Sequence, residues 1–161
     1  MFDSTQNKKK KTPAQALPLM QKFCAYQDRC HQECRYKLLD YGVYGDDLEE
    51  ILAALVEEDY LNEERFARSF VRGKYRMKKW GTVRIIMELK QRKISAYCQK
   101  MGLSEIDPEI YMENLQSLLS RKLELLEQEP KAQQKPKLYD YALRKGYTGS
   151  EIAEELKNLG F

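Results

Sequence analysis

The chain has 161 residues, 42% hydrophobic and 33% charged, with a net charge of +3, a length that suits one ordinary domain or a short array of repeats. No apolar run approaches the ~18 residues a membrane span needs, and no signal-peptide pattern opens the chain, so the expected location is the cytoplasm, away from membranes. Four cysteines are too sparse for a disulfide framework.

Eight glycines, five prolines and few β-branched clusters favour helices over strands. Residues 1–12, polar and ending in Lys8 to Lys11, read as a disordered basic arm. Thr12-Pro13-Ala14-Gln15 opens a helix: Thr12 caps it, Pro13 suits the first turn, and Gln15 completes a capping box. Pro18 kinks this helix or marks its true start, and Met20, Phe23 and Cys24 carry it to about Gln27. A second helix, about His31 to Tyr41, has Cys34, Leu38 and Tyr41 inward and Gly42 as its stop. A third is capped by Asp46 or Asp47 and runs to about Glu58, with Leu48, Ile51, Leu52, Leu55 and Val56 at helical spacing.

Asn62 caps a basic helix over Glu63 to Lys79, and Gly81 breaks the chain before a helix capped by Thr82. That helix reaches about Arg92 with Ile85, Ile86 and Leu89 inward, and Ser95 caps a short one to about Gly102. Pro108 opens a long helix bearing Tyr111, Leu115, Leu118, Leu119, Leu123 and Leu126. Gln128 to Pro136 reads as a loop or hinge, and Leu138 to Lys145 and Glu151 to Leu159 complete the chain.

Three segments echo one another: Leu38 to Val43, Leu89 to Ile94 and Ala142 to Tyr147. Each ends a middle helix, turns, and places an apolar residue before the next cap, with Gly42, Lys93 and Gly146 in register 51 and 53 residues apart. The fold class that follows is all-α: an elongated, curved tandem array of three three-helix repeats, residues 13–58, 59–104 and 105–161. Stacked neighbours would complete the core that one small repeat cannot build alone.

Charge is distributed unevenly along this array. Between Arg65 and Lys93 stand eleven lysines and arginines against the single acid Glu88, a net +10 in a chain of +3. Asp46 to Glu64 holds nine acids and no base. Such polarisation points to a nucleic-acid or other polyanionic partner. On a helix, Arg65, Arg68, Arg72, Arg76 and Lys79 share an arc of roughly 80°, while Phe66, Ala67, Phe70 and Met77 face a core. The bland alternative is a solvated face, but five like charges repel by a few tenths of a kcal/mol per pair, and a helix needing only solubility would mix its signs. Tyr75, Trp80 and Tyr97 lie among these cations, where ring faces can stack single-stranded bases. The competing reading, preferred for Trp80, is burial beneath the Gly81 turn.

Nothing converges on catalysis. The glycines form no phosphate loop, and no nucleophile elbow or metal-hydrolase motif occurs. The carboxylates Glu57, Glu58, Asp59, Glu63 and Glu64 fit capping and dipole complementation. Cys24, Cys30, His31 and Cys34 have no standard zinc spacing; Cys24 and Cys34 read as small buried hydrophobes, and His31 as a surface or cap residue. No catalytic residue, metal or cofactor is assigned.

Tyr60-Leu61-Asn62-Glu63-Glu64-Arg65-Phe66-Ala67, followed by Trp80-Gly81-Thr82-Val83-Arg84-Ile85-Ile86-Met87-Glu88-Leu89, resembles the signature of the RecX family, bacterial regulators of the RecA recombinase. Lys145-Gly146-Tyr147 is similar to the family's closing motif, and the resemblance runs from about Ala16 to Phe161. The family usually has Gly where Lys93 stands, and Ser and Leu where Cys30 and Cys34 stand. Tyr60, Leu61, Asn62, Phe66, Ala67, Gly81, Ile85, Glu88 and Leu89 are signature positions of largely structural kind, Tyr60 and Phe66 being core.

The resemblance implies tandem three-helix repeats and a non-enzymatic protein that binds the RecA–DNA filament, lodges in its groove, blocks its extension or promotes its disassembly, and so restrains strand exchange and ATP hydrolysis. That activity limits recombination and the DNA-damage response. The implied partners are the RecA filament and the single- or double-stranded DNA within it, met by a monomer through Arg65, Arg68, Arg72, Arg76, Lys79, Arg84 and Lys90. Asp46 to Glu64 and Glu151 to Glu155 would meet basic RecA surface or another repeat. Two other readings stay open: a stand-alone nucleic-acid-binding helical-repeat protein, and a helical scaffold whose basic face docks an acidic protein.

Overall fold

The computed structural model describes residues 9–161; the first eight residues of the expected basic arm lie outside the described residues. Among the described residues there are nine helices and no strand: α1 (Pro13–Tyr26), α2 (His31–Asp40), α3 (Gly45–Glu57), α4 (Glu63–Met77), α5 (Thr82–Gln91), α6 (Ala96–Leu103), α7 (Pro108–Leu125), α8 (Lys131–Lys145) and α9 (Gly149–Asn158). None is long and apolar enough to cross a membrane.

Local chemistry accounts for most helix starts. Thr12 Oγ1 accepts from the Gln15 amide at 3.2 Å while Gln15 Oε1 accepts from the Thr12 amide at 3.0 Å, a reciprocal capping box. Pro18 lies in the second turn of α1 without ending it. Asn62 Oδ1 takes the Arg65 amide at 2.8 Å, and Ser95, Asp107 and Thr148 cap α6, α7 and α9 through their side chains.

Three starts differ from expectation. Asp46 and Asp47 fall inside the first turn of α3, whose cap residue is Tyr44; there they complement the positive helix end instead of accepting its amides. Gly81, not Thr82, caps α5. The expected loop at Gln128 to Pro136 is mostly helix, α8 beginning at Lys131 and containing Pro136. Gln134 Nε2 donates to the carbonyls of Leu126 and Glu129 at 2.9 and 3.1 Å, and fully buried Leu138 and Ala142 anchor the later turns.

The described chain divides into two compact units, one up to Phe66 and one from Ala67 to Phe161. In the first, α1–α3 close around Met20, Leu38, Ile51, Leu52, Leu55 and Leu61. Cys24 and Cys34 belong to this core with their sulfurs 3.7 Å apart, as small hydrophobes. Their hydrogen bond and burial push the Cys34 thiol pKa up. Phe66 is buried, and Tyr60 packs half-buried against the same core.

In the second unit, Leu115, Leu119, Leu138, Tyr147, Ile152 and Leu156 form a core among α7–α9. Val71, Tyr75, Ile85 and Leu89 are fully buried on α4 and α5. Backbone pairs tie the α5 start to the end of α8: the Gly81 amide donates to the Lys145 carbonyl at 2.8 Å and the Val83 amide to the Gly146 carbonyl at 2.9 Å. Tyr147 Oη donates to the Lys79 carbonyl at 2.8 Å. Tyr111 Oη accepts from the Thr82 amide at 3.0 Å and donates to Glu151.

The sequence echo has a common backbone form. Gly42, Lys93 and Gly146 all have positive φ (76°, 57° and 101°). At each, the amide one residue on reaches back to the carbonyl five residues earlier: Val43 to Leu38, Ile94 to Leu89 and Tyr147 to Ala142, at 2.9, 3.1 and 3.3 Å. This is the left-handed closure that satisfies a helix's last carbonyls. The apolar residue that follows, Val43, Ile94 or Tyr147, is buried each time.

Candidate nucleic-acid interface

The arginines aligned in sequence do not share one environment. In the first unit, Arg65 is used internally. Its Nε lies 2.9 Å from Asp28 Oδ1 and its Nη1 3.2 Å from Asp59 Oδ1, while Nη2 donates to the carbonyls of Asp59 and Tyr60. Hydrogen bonding to Asp28 raises the guanidinium pKa. This side chain ties the start of α4 to the turns before it.

In the second unit, Arg68 and Arg72 converge on one carboxylate. Arg68 Nη1 sits 2.9 Å from Glu105 Oε1 and Arg72 Nη1 3.3 Å from the same oxygen. The Arg68 hydrogen bond foremost, with that of Arg72, holds the Glu105 carboxyl below its ordinary pKa. Arg76 is exposed and its Nε donates to Tyr75 Oη at 2.9 Å. Lys79 lies beyond the end of α4 in a left-handed conformation, φ 55°, and its Nζ donates to Ser117 Oγ at 3.2 Å.

Arg84 and Lys90 belong to α5. Arg84 Cζ lies 4.0 Å above the centroid of Trp80. Lys90 is exposed beside Val83, Ile86, Met87 and Gln91, which line a shallow apolar groove. Among the signature positions, Leu61, Phe66, Ala67, Gly81, Ile85 and Leu89 are buried, and Glu88 pairs with Arg92 at 2.8 Å.

Two expected core residues are not core. Met77 is 82% exposed, and Phe70 is half-buried, because α4 stops at Met77 and its outer side lacks a covering element. Trp80 is also half-exposed instead of tucked under Gly81, since the left-handed Lys79 turns the chain outward. Tyr75 is fully buried, so its ring offers no stacking face, whereas Tyr97 is exposed.

Sequence reasoning missed the roles of Phe70, Lys74 and Arg92. Lys74 Nζ lies 4.8 Å from the Trp80 centroid and 5.4 Å from that of Phe70, and Arg92 Cζ lies 4.8 Å from Phe70. The available signal for one pair was spacing: Phe70 and Lys74 stand four residues apart on α4, where helical side chains meet. Among the described residues no group of histidine, cysteine or acidic side chains is arranged to hold a metal.

A model of the second three-helix domain of RecX matches residues 62–103, the segment that carries this cationic and aromatic cluster. Relatives named regulatory protein RecX agree with it. One from Lactobacillus gasseri is 28% identical over 69% of this chain and 41% of its own length, and one from Bacillus mycoides is 28% identical over 84% and 52%. Over most of its length the chain is similar to RecX regulatory proteins. A RecX relative from Prosthecochloris aestuarii, 25% identical, is covered over 88% of its length, whereas the chain spans only about half or less of the two relatives named before it.

Solved RecX structures share the fold. The crystal structure from Lactobacillus salivarius superposes with a TM-score of 0.80 at 20% identity, over 91% of this chain and 96% of that one. A second RecX crystal structure gives 0.82 at 23% identity, over 91% and 73%. The all-helical, repeat-like architecture is therefore that of RecX proteins, and the curated relatives are named as regulators, not as enzymes.

Proposed function

We propose that this RecX-like chain is a non-enzymatic regulator of the RecA recombinase, which binds the RecA–DNA filament and restrains its extension, strand exchange and ATP hydrolysis. The observation that carries the reading is the net +10 segment between Arg65 and Lys93, within the RecX-matching residues, where Arg76, Arg84 and Lys90 have no carboxylate partner among the described residues. A cationic surface of this density favours the phosphate backbone.

The contacts proposed are Arg76, Lys79, Arg84 and Lys90 directly, with Arg68 and Arg72 able to trade Glu105 for phosphate. Arg65, bound to Asp28 and Asp59, contributes to folding first. ATP is hydrolysed by the partner; this chain works as a monomer in the cytoplasm, without cofactor.

The test follows ATP hydrolysis by RecA on single-stranded DNA with this chain added below stoichiometry. Progressive loss of hydrolysis, with none by the chain alone, is the expected result. Unchanged hydrolysis beside ordinary binding of bare DNA would replace this reading with a stand-alone nucleic-acid binder. Binding to neither would favour a scaffold for an acidic protein.

A further inference from the structure

Two groups of cations in the second unit differ in chemical state. Arg68 and Arg72 share the Glu105 carboxylate, which cancels part of their charge and fixes them to α6 and the turn after it. Lys74 and Arg84 are held by rings instead, and neither makes an ion pair among the described residues. Arg92, Phe70, Lys74, Trp80 and Arg84 alternate cation and ring, the two rings meeting edge-to-face at 6.4 Å. Among the described residues only Arg92, at one end, has a carboxylate neighbour, Glu88.

A ring face attracts a cation through its quadrupole but leaves the full charge in place. Lys74 and Arg84 are thus ordered in advance without being neutralised, so a ligand anion meets them with less side-chain entropy left to lose. The two cations share Trp80 despite their mutual repulsion. Trp80 and Arg84 are both half-exposed, and a guanidinium stacked on indole presents a planar surface of its own. Cations beside open planar groups match a strand that offers phosphates and unpaired bases together. An acidic peptide would use the charges and leave the planes idle.

We propose that Lys74, Trp80 and Arg84, supported by Phe70, form a binding site for a single-stranded polynucleotide. The two cations take phosphates, and the Trp80–Arg84 stack receives a base. This deepens the proposed function and rests on it, adding to the cationic contacts a place where a base is received, at the Trp80 face.

Trp80 is the only tryptophan of the chain, so its emission reports on the site directly. The full chain is titrated with oligothymidylate and, separately, oligouridylate of about fifteen nucleotides, reading tryptophan emission and the anisotropy of the end-labelled strand. Both signals are expected to move with one midpoint, and the stronger of the two ligands distinguishes a DNA from an RNA source. Lys74→Gln with Arg84→Gln is expected to weaken binding roughly tenfold and to flatten the salt dependence by about 1.4 log units per decade, the loss of two phosphate contacts on a single strand. Arg84→Lys, which keeps the charge and the fold, should retain the salt slope while changing the emission response. Arg72→Gln should weaken binding less than about threefold, its charge being shared with Glu105.

Strand binding that leaves Trp80 emission unchanged, or a double variant that binds like the parent, overturns this site. If the parent chain then still suppresses RecA hydrolysis, the regulator reading survives alone. Absence of strand binding at low salt, with RecA hydrolysis also untouched, overturns both.

Discussion

Gly81 and Gly146 meet backbone to backbone: a Cβ on Gly81 would lie 2.2 Å from the Gly146 carbonyl carbon, and one on Gly146 would lie 2.4 Å from Arg84 Cβ. The approach is what lets the Gly81 amide reach the Lys145 carbonyl at 2.8 Å. Gly81→Ala is therefore expected to cost about 3 kcal/mol or more, because the obstacle is backbone and cannot swing aside. Gly146→Ala adds strain at φ 101°. Urea denaturation measures both, and a loss below about 1 kcal/mol for Gly81→Ala would show that the two segments separate easily.

Gly73 provides the contrast. It lies inside α4, and a methyl group added at its Cα would meet nothing within 4 Å, so Gly73→Ala gains helix propensity without a clash. Stabilisation by about 0.5–1 kcal/mol is expected in the same denaturation experiment.

Lys93 holds, at φ 57°, the left-handed position that glycine fills at the two equivalent turns. Lys93→Gly removes the Cβ strain at the expense of a more flexible unfolded chain, and a net gain of up to about 1 kcal/mol is expected. Gly42→Ala, at φ 76° and with Lys10 Cγ 2.8 Å from the added methyl, should lose stability. Thermal unfolding of the two variants should move in opposite directions.

Glu105 gives the fold an acid sensitivity with a defined sign. Its carboxyl pKa is depressed from 4.5 when folded, chiefly by the Arg68 hydrogen bond. The folded state thus releases this proton more readily than the unfolded one. The resulting stability is present at neutral pH and is lost as pH falls below about 4.5 through the lower folded value. Glu105→Gln should lower the denaturation midpoint at pH 7 and converge with the parent at pH 3. It should also free Arg68 and Arg72, so unchanged polynucleotide affinity in this variant would count against any role for them in binding.

Tyr111 and Tyr147 pack with ring centroids 5.1 Å apart. Burial pushes the Tyr111 hydroxyl up to about 12 and raises that of Tyr147 as well. A raised folded pKa means the folded state keeps a proton that the unfolded state releases, so stability should decline as pH rises from about 10 toward 12. Tyr147→Phe, which deletes the donor to the Lys79 carbonyl, should cost about 1 kcal/mol at neutral pH and blunt that alkaline decline.

Local sequence determined what neighbouring residues can enforce. The Thr12–Gln15 capping box, the Asn62 and Ser95 caps and the three left-handed turns all depend on partners within five residues. Apolar spacing likewise placed Ile51, Leu55, Ile85 and Leu89 inside. Tertiary structure decided the state of each cation. The partners of Arg68 and Arg65 stand 37 residues away, at Glu105 and Asp28, and charge counted along a helix face says nothing about a carboxylate brought from elsewhere. The same holds for Gly81, whose need for glycine arises from Gly146, 65 residues on. Trp80 stays only partly buried, next to the left-handed turn at Lys79, and the direction of a turn relative to the core is settled only when the helices pack.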